Sequence, residues 1–211
     1  MNVIFQDAAI VVVDKPAGQI VHPAPGHETG AMTQELVREF PEMASVGSKE
    51  RPGVVHRLDV DTSGVMVFAR TQAAYLDLRR QFEAHRDVRK TYLAACHWKR
   101  GVAAKGTVEL PIERQAAVSH YEVLGRQGSL AMVRFDIETG RTHQIRIHAA
   151  KGLGCPLVGD SLYGDAARDR ALRRRPSRTL LHAVELSFLH PVTHRRVTFS
   201  APPPRDLVFV G

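Results

Sequence analysis

Short apolar runs broken by polar turns dominate the chain. VIF (3–5) and AIVVVD (9–14) read as strands, and a loop rich in Gly, Pro and His follows from Lys15 to Gly30. AMTQELVREF places Leu36, Val37 and Phe40 at helical spacing, with Pro41 just beyond its end. A polar loop through Pro52 and Gly53 leads into VVHRLD, a segment composed like a buried strand. A turn over Asp61-Thr62-Ser63-Gly64 and the strand VMVFAR come next. Thr71 is placed to cap a helix running to about His85, with Ala74, Tyr75, Leu78 and Phe82 on one apolar stripe.

The rest reads mainly as strands: RKTYLAACHW, GTVELPI, SHYEVLGR and SLAMVRFDIET. GRTHQIRIHAAKG predicts a helix ending near Gly152 or Gly154. CPLVGDSLYGD is loop-like, DAARDRALRRRPSR is a basic segment, and TLLHAVELSFLHP with RRVTFSAP predicts a hairpin joined through HPVTH. Many strands with few helices point to an α+β protein on a mainly antiparallel sheet. No internal repeat or long linker interrupts the 211 residues, so one compact unit is expected.

Composition sharpens this only in places. With 44% hydrophobic and 24% charged residues the chain has the balance of a globular protein, not a disordered one. A net charge of +7 and a pI near 9.8 point to a polyanionic partner, nucleic acid before anionic membrane. Cys96 and Cys155 are too few for a disulfide framework or a zinc site. The start, MNVIFQDAAIVVVDKP, carries Asp7 and no basic leader, which argues against a signal peptide. No apolar run reaches the length of a membrane-spanning helix, so a cytoplasmic setting is expected.

Charge inside HRLDVDTSG (56–64) raises the chemical question, because unpaired ions are costly to bury. Asp-x-Asp followed by Thr and Ser resembles the aspartyl-nucleophile motif of haloacid-dehalogenase-type phosphatases. His56 and Arg57 interrupt the strand that such a motif follows, and no acidic pair for magnesium stands downstream. Asp59 and Asp61 on one strand face would lie about 7 Å apart, within the range of glycosidase carboxylates, but Asp61 reads more naturally as a turn residue. A third arrangement pairs Asp59 as nucleophile with a distant cation and an aromatic platform. Arg141, on a loop before a helix, and Tyr92, on a strand with Lys90 and Ala94 on its face, are the candidates. Taken singly, Tyr92 also fits a core residue and Arg141 a surface contact. His143 and His148, five apart, miss the spacing of two metal ligands on one helix face.

DKPAGQIVHP, HRLDVDTSGVMVFAR, KTYLA, TGRTHQIRIHAA, GCPLVGDSLYG and LHAVELSFLHP stand in the same order as in RluA-type RNA pseudouridine synthases, which this chain resembles along nearly its whole length. The resemblance implies a pseudouridine synthase catalytic fold: a mixed, mostly antiparallel central sheet with flanking helices, in two halves around an RNA-binding cleft. It implies isomerisation of uridine in tRNA or rRNA to its C-glycoside, with no cofactor and no metal. Asp59 is the implied catalytic aspartate, Tyr92 the aromatic on the target uracil and Arg141 the partner of Asp59. Arg57 is the implied occupant of the gap left by the flipped base, and His56, Thr62, Lys90 and Thr142 complete the implied RNA and substrate contacts.

Arginines 168, 170, 173, 174, 175 and 178 suit phosphate contacts or a solvated basic face. Two departures from the family pattern stand out. The catalytic motifs start within the first residues, without the S4 RNA-binding domain that many relatives carry, so 1–211 is expected to be a single catalytic domain and a monomer. The stretch PIERQAAVSHYEVL is shorter than the basic loop usual there, which touches RNA grip and target choice but not Asp59, Tyr92 or Arg141. A non-catalytic RNA-binding or chaperone-like protein of the same fold, and an N-glycosidase releasing free uracil, are the competing functions.

Overall fold

The computed structural model describes residues 1–26 and 28–207; His27, inside the expected first loop, lies outside them. The fold is α+β, and every strand pairing described below is antiparallel. In chain order, β1 (Asn2–Gln6) and β2 (Ile10–Lys15) form a hairpin. Helix α1 (Met32–Glu39), a 3₁₀ turn (Pro41–Ser45) and the two-residue strands β3 (Gly47–Ser48) and β4 (Arg51–Pro52) follow. Then come β5 (Ser63–Ala69), α2 (Gln72–Ala84), β6 (Arg89–His97), β7 (Lys105–Val108), β8 (Ser119–Gln127) and β9 (Leu130–Ile137). A short α3 (Gln144–Ile147) continues as a π-helical turn (His148–Gly152), and α4 (Ala166–Ala171), β10 (Leu181–Leu189) and β11 (Arg196–Ser200) close the chain.

These elements form two compact units. The first is Met1–Arg89 with Glu185–Ala201, and the second is Lys90–Val184 with the segment beginning at Pro202. In the first, β2 lies between β1 and β5, and Lys15 faces Gly64 in the register. The β1–β2 turn closes on Asp7, whose carboxylate accepts the Ala9 and Ile10 amides at 2.8 and 2.9 Å and His190 Nε2 at 2.8 Å. Val11, Val13, Met66 and Phe68 of the strands pack with Met32, Leu36, Phe40 and Met43 into one core. Thr71 caps α2 by accepting the Ala74 amide, and Ala74, Leu78 and Phe82 are its buried face. The hairpin of β10 and β11 pairs Glu185 with Ser200 through Leu189 with Arg196.

In the second unit the strand order is β6-β9-β8-β7, with Tyr92 opposite Phe135 and Ser119 opposite Ile137. Ala95, Leu130, Val158, Leu180 and Leu207 form a core cluster. Gly159 is required where it stands: its φ is +75°, and a Cβ there would lie 2.0 Å from the Arg178 carbonyl oxygen. Cys96 and Cys155 are both buried free thiols.

Three elements differ from the sequence expectation. VVHRLD is not a strand; Val54 alone makes a bridge, to Phe68, and beyond it His56 takes the Val67 amide with its side chain and stacks on Phe82. The turn lies at Asp59–Thr62, closed by the Thr62 amide on the Asp59 carbonyl at 3.1 Å, and β5 already begins at Ser63. The helix over 140–152 starts only at Gln144, after His143 in a left-handed conformation (φ 55°), and widens into the π turn.

Candidate active site

Asp59 sits half-buried in a loop pinned on both sides. Upstream, His56 stacks on Phe82 of α2 with ring centroids 4.5 Å apart and planes at 13°. Its Nε2 accepts the Val67 amide of β5 at 3.2 Å, so the neutral ring carries its proton on Nδ1. Downstream, the Val60 carbonyl accepts two donors, Lys15 Nζ at 2.9 Å and the Gly18 amide at 2.8 Å. Lys15 is fully buried at the end of β2 and also donates to the Pro16 carbonyl at 2.9 Å. The DKPAG loop thus holds the peptide that follows Asp59. Thr62 is buried at 2% exposure in the same turn, whereas Arg57 is exposed and open to a partner.

The second unit carries the other candidates. On β6, Lys90, Tyr92 and Ala94 share the buried face, and Tyr92 keeps 9% exposure. Lys90 Nζ donates to the Thr139 carbonyl at 3.0 Å. Burial, and then the nearby charge of Arg141, lower the Lys90 pKa to about 8. Arg141 is half-buried on the β9–α3 loop, where its Nε donates to the Ala116 carbonyl at 3.2 Å and its amide to Gln144 Oε1 at 3.0 Å. Two cations held this close favour an anionic partner, a carboxylate or a phosphate. Thr142 is exposed beside them. Among the described residues no group of His, Cys, Asp or Glu has the arrangement of a metal site.

The motif segments around Arg141 are cross-linked. Arg146 donates to Asp160 through Nε and Nη2, each at 2.7 Å, and Asp160 also accepts the Leu162 and Tyr163 amides. This joins THQIRIH to VGDSLYG in the buried interior. Tyr163 in turn lies 3.2 Å from His143 Nδ1 through its hydroxyl.

A family model described as RNA pseudouridylate synthase matches residues 9–151, a span containing Asp59, Tyr92 and Arg141. The chain belongs to the RNA pseudouridylate synthase family. It is 42% identical, over 98% of its length, to the ribosomal large subunit pseudouridine synthase D of Xanthomonas campestris pv. campestris, covering 67% of that protein. It is 37% identical, over 97% of its length, to an uncharacterized RNA pseudouridine synthase of Synechocystis, covering 66% of it. The chain thus spans about two thirds of the length of these curated relatives. Among solved structures, human RNA pseudouridylate synthase domain containing 4 superposes with a TM-score of 0.75 at 26% identity, over 98% of this chain and 90% of that one.

Of the expected site residues, His56, Arg57, Asp59 and Thr62 belong to the first unit, and Lys90, Tyr92, Arg141 and Thr142 to the second. The stacking of His56 on Phe82 and its bond to the Val67 amide give it a place in shaping the Asp59 loop. Of the basic segment, Arg178 is taken by the fold: it holds Asp206 in a two-bond pair at 2.7 and 2.8 Å and donates to the Thr179 and Leu181 carbonyls. Arg168, Arg170, Arg173, Arg174 and Arg175 are exposed. Sequence reasoning missed Lys15 and Gln144. A lysine closing the apolar run IVVVDK was the signal for the first; nothing local marked the second.

Proposed function

We propose that the protein isomerises uridine in structured RNA to pseudouridine, with Asp59 as the catalytic carboxylate. The observation that carries this reading is the pinned turn that presents Asp59, in a chain of the RNA pseudouridylate synthase family. The C1′–N1 bond of the uridine breaks, the uracil turns, and C5 bonds to C1′; the C5 hydrogen leaves as a proton and N1 takes one up. Atoms balance without oxidant, reductant or co-substrate.

Asp59 acts at the sugar, either by attack on C1′ or by taking a proton from C2′. Arg141 is assigned the part of cationic partner at the reacting centre, the place its motif position implies. Tyr92 retains the detached uracil by stacking while it turns. The base must first leave its stack, at a cost of a few kcal/mol. Arg57, exposed next to the pinned loop, offsets part of that cost by stacking on the neighbouring bases. Thr62, Thr142, Lys90 and His56 shape and line the site.

Relatives named for the ribosomal large subunit favour its rRNA over tRNA as substrate. The reaction is assigned to a monomer in the cytoplasm. Among the described residues no helix is long and apolar enough to cross a membrane. Retention of Asp59, Tyr92 and Arg141 together favours catalysis over RNA binding alone.

Tritium release from RNA labelled at uridine C5 tests the function, with tRNA and large-subunit rRNA as separate pools. Wild type is expected to release tritium from the rRNA pool without free uracil, and Asp59→Ala to release none. Free uracil would indicate an N-glycosidase, and RNA binding with no release from either pool would overturn the catalytic reading.

A further inference from the structure

We propose that His148 is a positioning residue for Arg141, acting through Ser119 and Gln144; the proposal rests on the pseudouridine synthase function above. The three side chains and the Arg141 backbone amide form one line of hydrogen bonds whose directions are all determined. The Leu110 carbonyl can only accept, so His148 Nε2, 2.9 Å away, carries a proton and donates it. Burial holds the His148 pKa below the ordinary imidazole value against that opposing bond, which keeps the ring neutral. A neutral ring protonated at Nε2 has a bare Nδ1. The Ser119 hydroxyl, 2.9 Å from Nδ1, must therefore donate to it.

With its proton spent, Ser119 Oγ accepts from Gln144 Nε2 at 3.0 Å. The same Nε2 gives its second proton to the Val118 carbonyl at 2.9 Å. The amide of Gln144 is thereby oriented, and its Oε1 faces the loop that carries Arg141. There it accepts the Arg141 amide at 3.0 Å and the Thr139 hydroxyl at 2.7 Å. Thr139 Oγ1 accepts the Val118 amide at 3.1 Å, and the Thr139 carbonyl is the acceptor for Lys90. A reversed Gln144 amide would set an NH₂ against the Arg141 N–H, two donors facing each other.

Burial makes the arrangement strict. His148 and Ser119 are fully buried and Gln144 is 3% exposed, so a group that loses its partner here finds no water to replace it. The proton position on an imidazole therefore sets the orientation of an amide, and that amide sets the backbone from which the Arg141 guanidinium projects. Displacing a charge-stabilising group by about 1 Å costs on the order of a hundredfold in rate. RNA affinity, spread over many phosphate contacts, has no such dependence on one backbone position.

The test uses Ser119→Ala, His148→Phe and the double variant of the full chain. Single-turnover pseudouridine formation at saturating enzyme is measured beside RNA Kd, Tm and hydrogen exchange of the Arg141 amide. Each single variant is expected to lose about tenfold to a hundredfold in rate with Kd changed by less than about twofold. The double should lose no more than the worse single, because both cut one line. The Arg141 amide should exchange about tenfold faster in Ser119→Ala, and ring ¹⁵N shifts should report the Nε2–H tautomer of His148 in wild type.

Variants that melt earlier but keep the full rate in their folded fraction would overturn the proposal, as would additive losses or an Nδ1–H tautomer. If His148→Phe does not fold, Ser119→Ala carries the test alone. A wild type that forms no pseudouridine overturns the assigned reaction instead, and the exchange and tautomer measurements on the free protein still decide whether the relay exists.

Discussion

The buried ammonium of Lys15 donates to the Val60 carbonyl at 2.9 Å, one peptide beyond Asp59. A cation inside the first unit is thus used to hold the loop that presents the carboxylate. Lys15→Met keeps most of the volume and removes the donor. Tritium release by this variant should fall by about tenfold to a hundredfold while RNA Kd stays nearly constant. Lys15→Arg should not restore activity, because a fully buried site shaped for a compact ammonium has no room for a planar fork. Wild-type rates in Lys15→Met would mean that the Gly18 amide suffices to hold the turn.

The Arg146–Asp160 pair makes a different demand. The burial of Asp160 alone would raise its pKa, but the Arg146 side chain and the Tyr163 and Leu162 amides outweigh burial and lower it. The lowered value means that its contribution is present above the ordinary carboxylate range and is lost as pH falls through the folded pKa. Asp160→Asn leaves Arg146 buried with half its partner and should destabilise the protein by about 3 to 5 kcal/mol, read by urea melts at pH 7. The deficit should shrink below pH 4, where wild type itself begins to lose the pair.

Local signals carried most of the elements, and contacts distant in sequence account for what they missed. Thr71, the α2 stripe and the HPVTH hairpin are written in neighbouring residues, and the structure places them as expected. VVHRLD has the composition of a strand, yet the groups that turn it into a loop, Phe82, Val67 and Lys15, come from three other segments. The Ser119–His148 contact joins residues 29 apart, beyond the reach of any periodicity. Spacing alone left Tyr92 a core residue and Arg141 a surface one. Their assigned roles came with the family motifs, and the structure adds the neighbours that hold them.

Lys90 predicts a pH dependence with a definite sign. Its pKa is about 8 in the folded protein, against about 10.4 for an unperturbed lysine. Between those values the unfolded chain binds more protons than the folded one, so the Lys90 contribution to stability rises with pH. At neutral pH the buried charge instead costs stability. Lys90→Met should therefore gain on wild type at pH 7, and wild type should recover up to about 3 kcal/mol of the difference by pH 10. Urea melts of both proteins at the two pH values decide this. A constant difference would mean that the Lys90 charge is not the group that titrates.

The exposed arginines of the basic segment should act on RNA through phosphate charge. Arg173, Arg174 and Arg175 project into solvent, whereas Arg178 is consumed by Asp206 and two carbonyls. Neutralising a phosphate releases condensed counterions, so each such contact adds about 0.7 to 0.9 to the slope of log Kd against log salt. Replacing the three by Gln should lower that slope by about two and weaken binding by a similar factor for any RNA sequence. The single-turnover rate at saturating enzyme should remain that of wild type, because none of the three belongs to the Asp59 or Arg141 loops. An unchanged slope would make the segment a solvated face, with the net charge of +7 serving elsewhere on the surface.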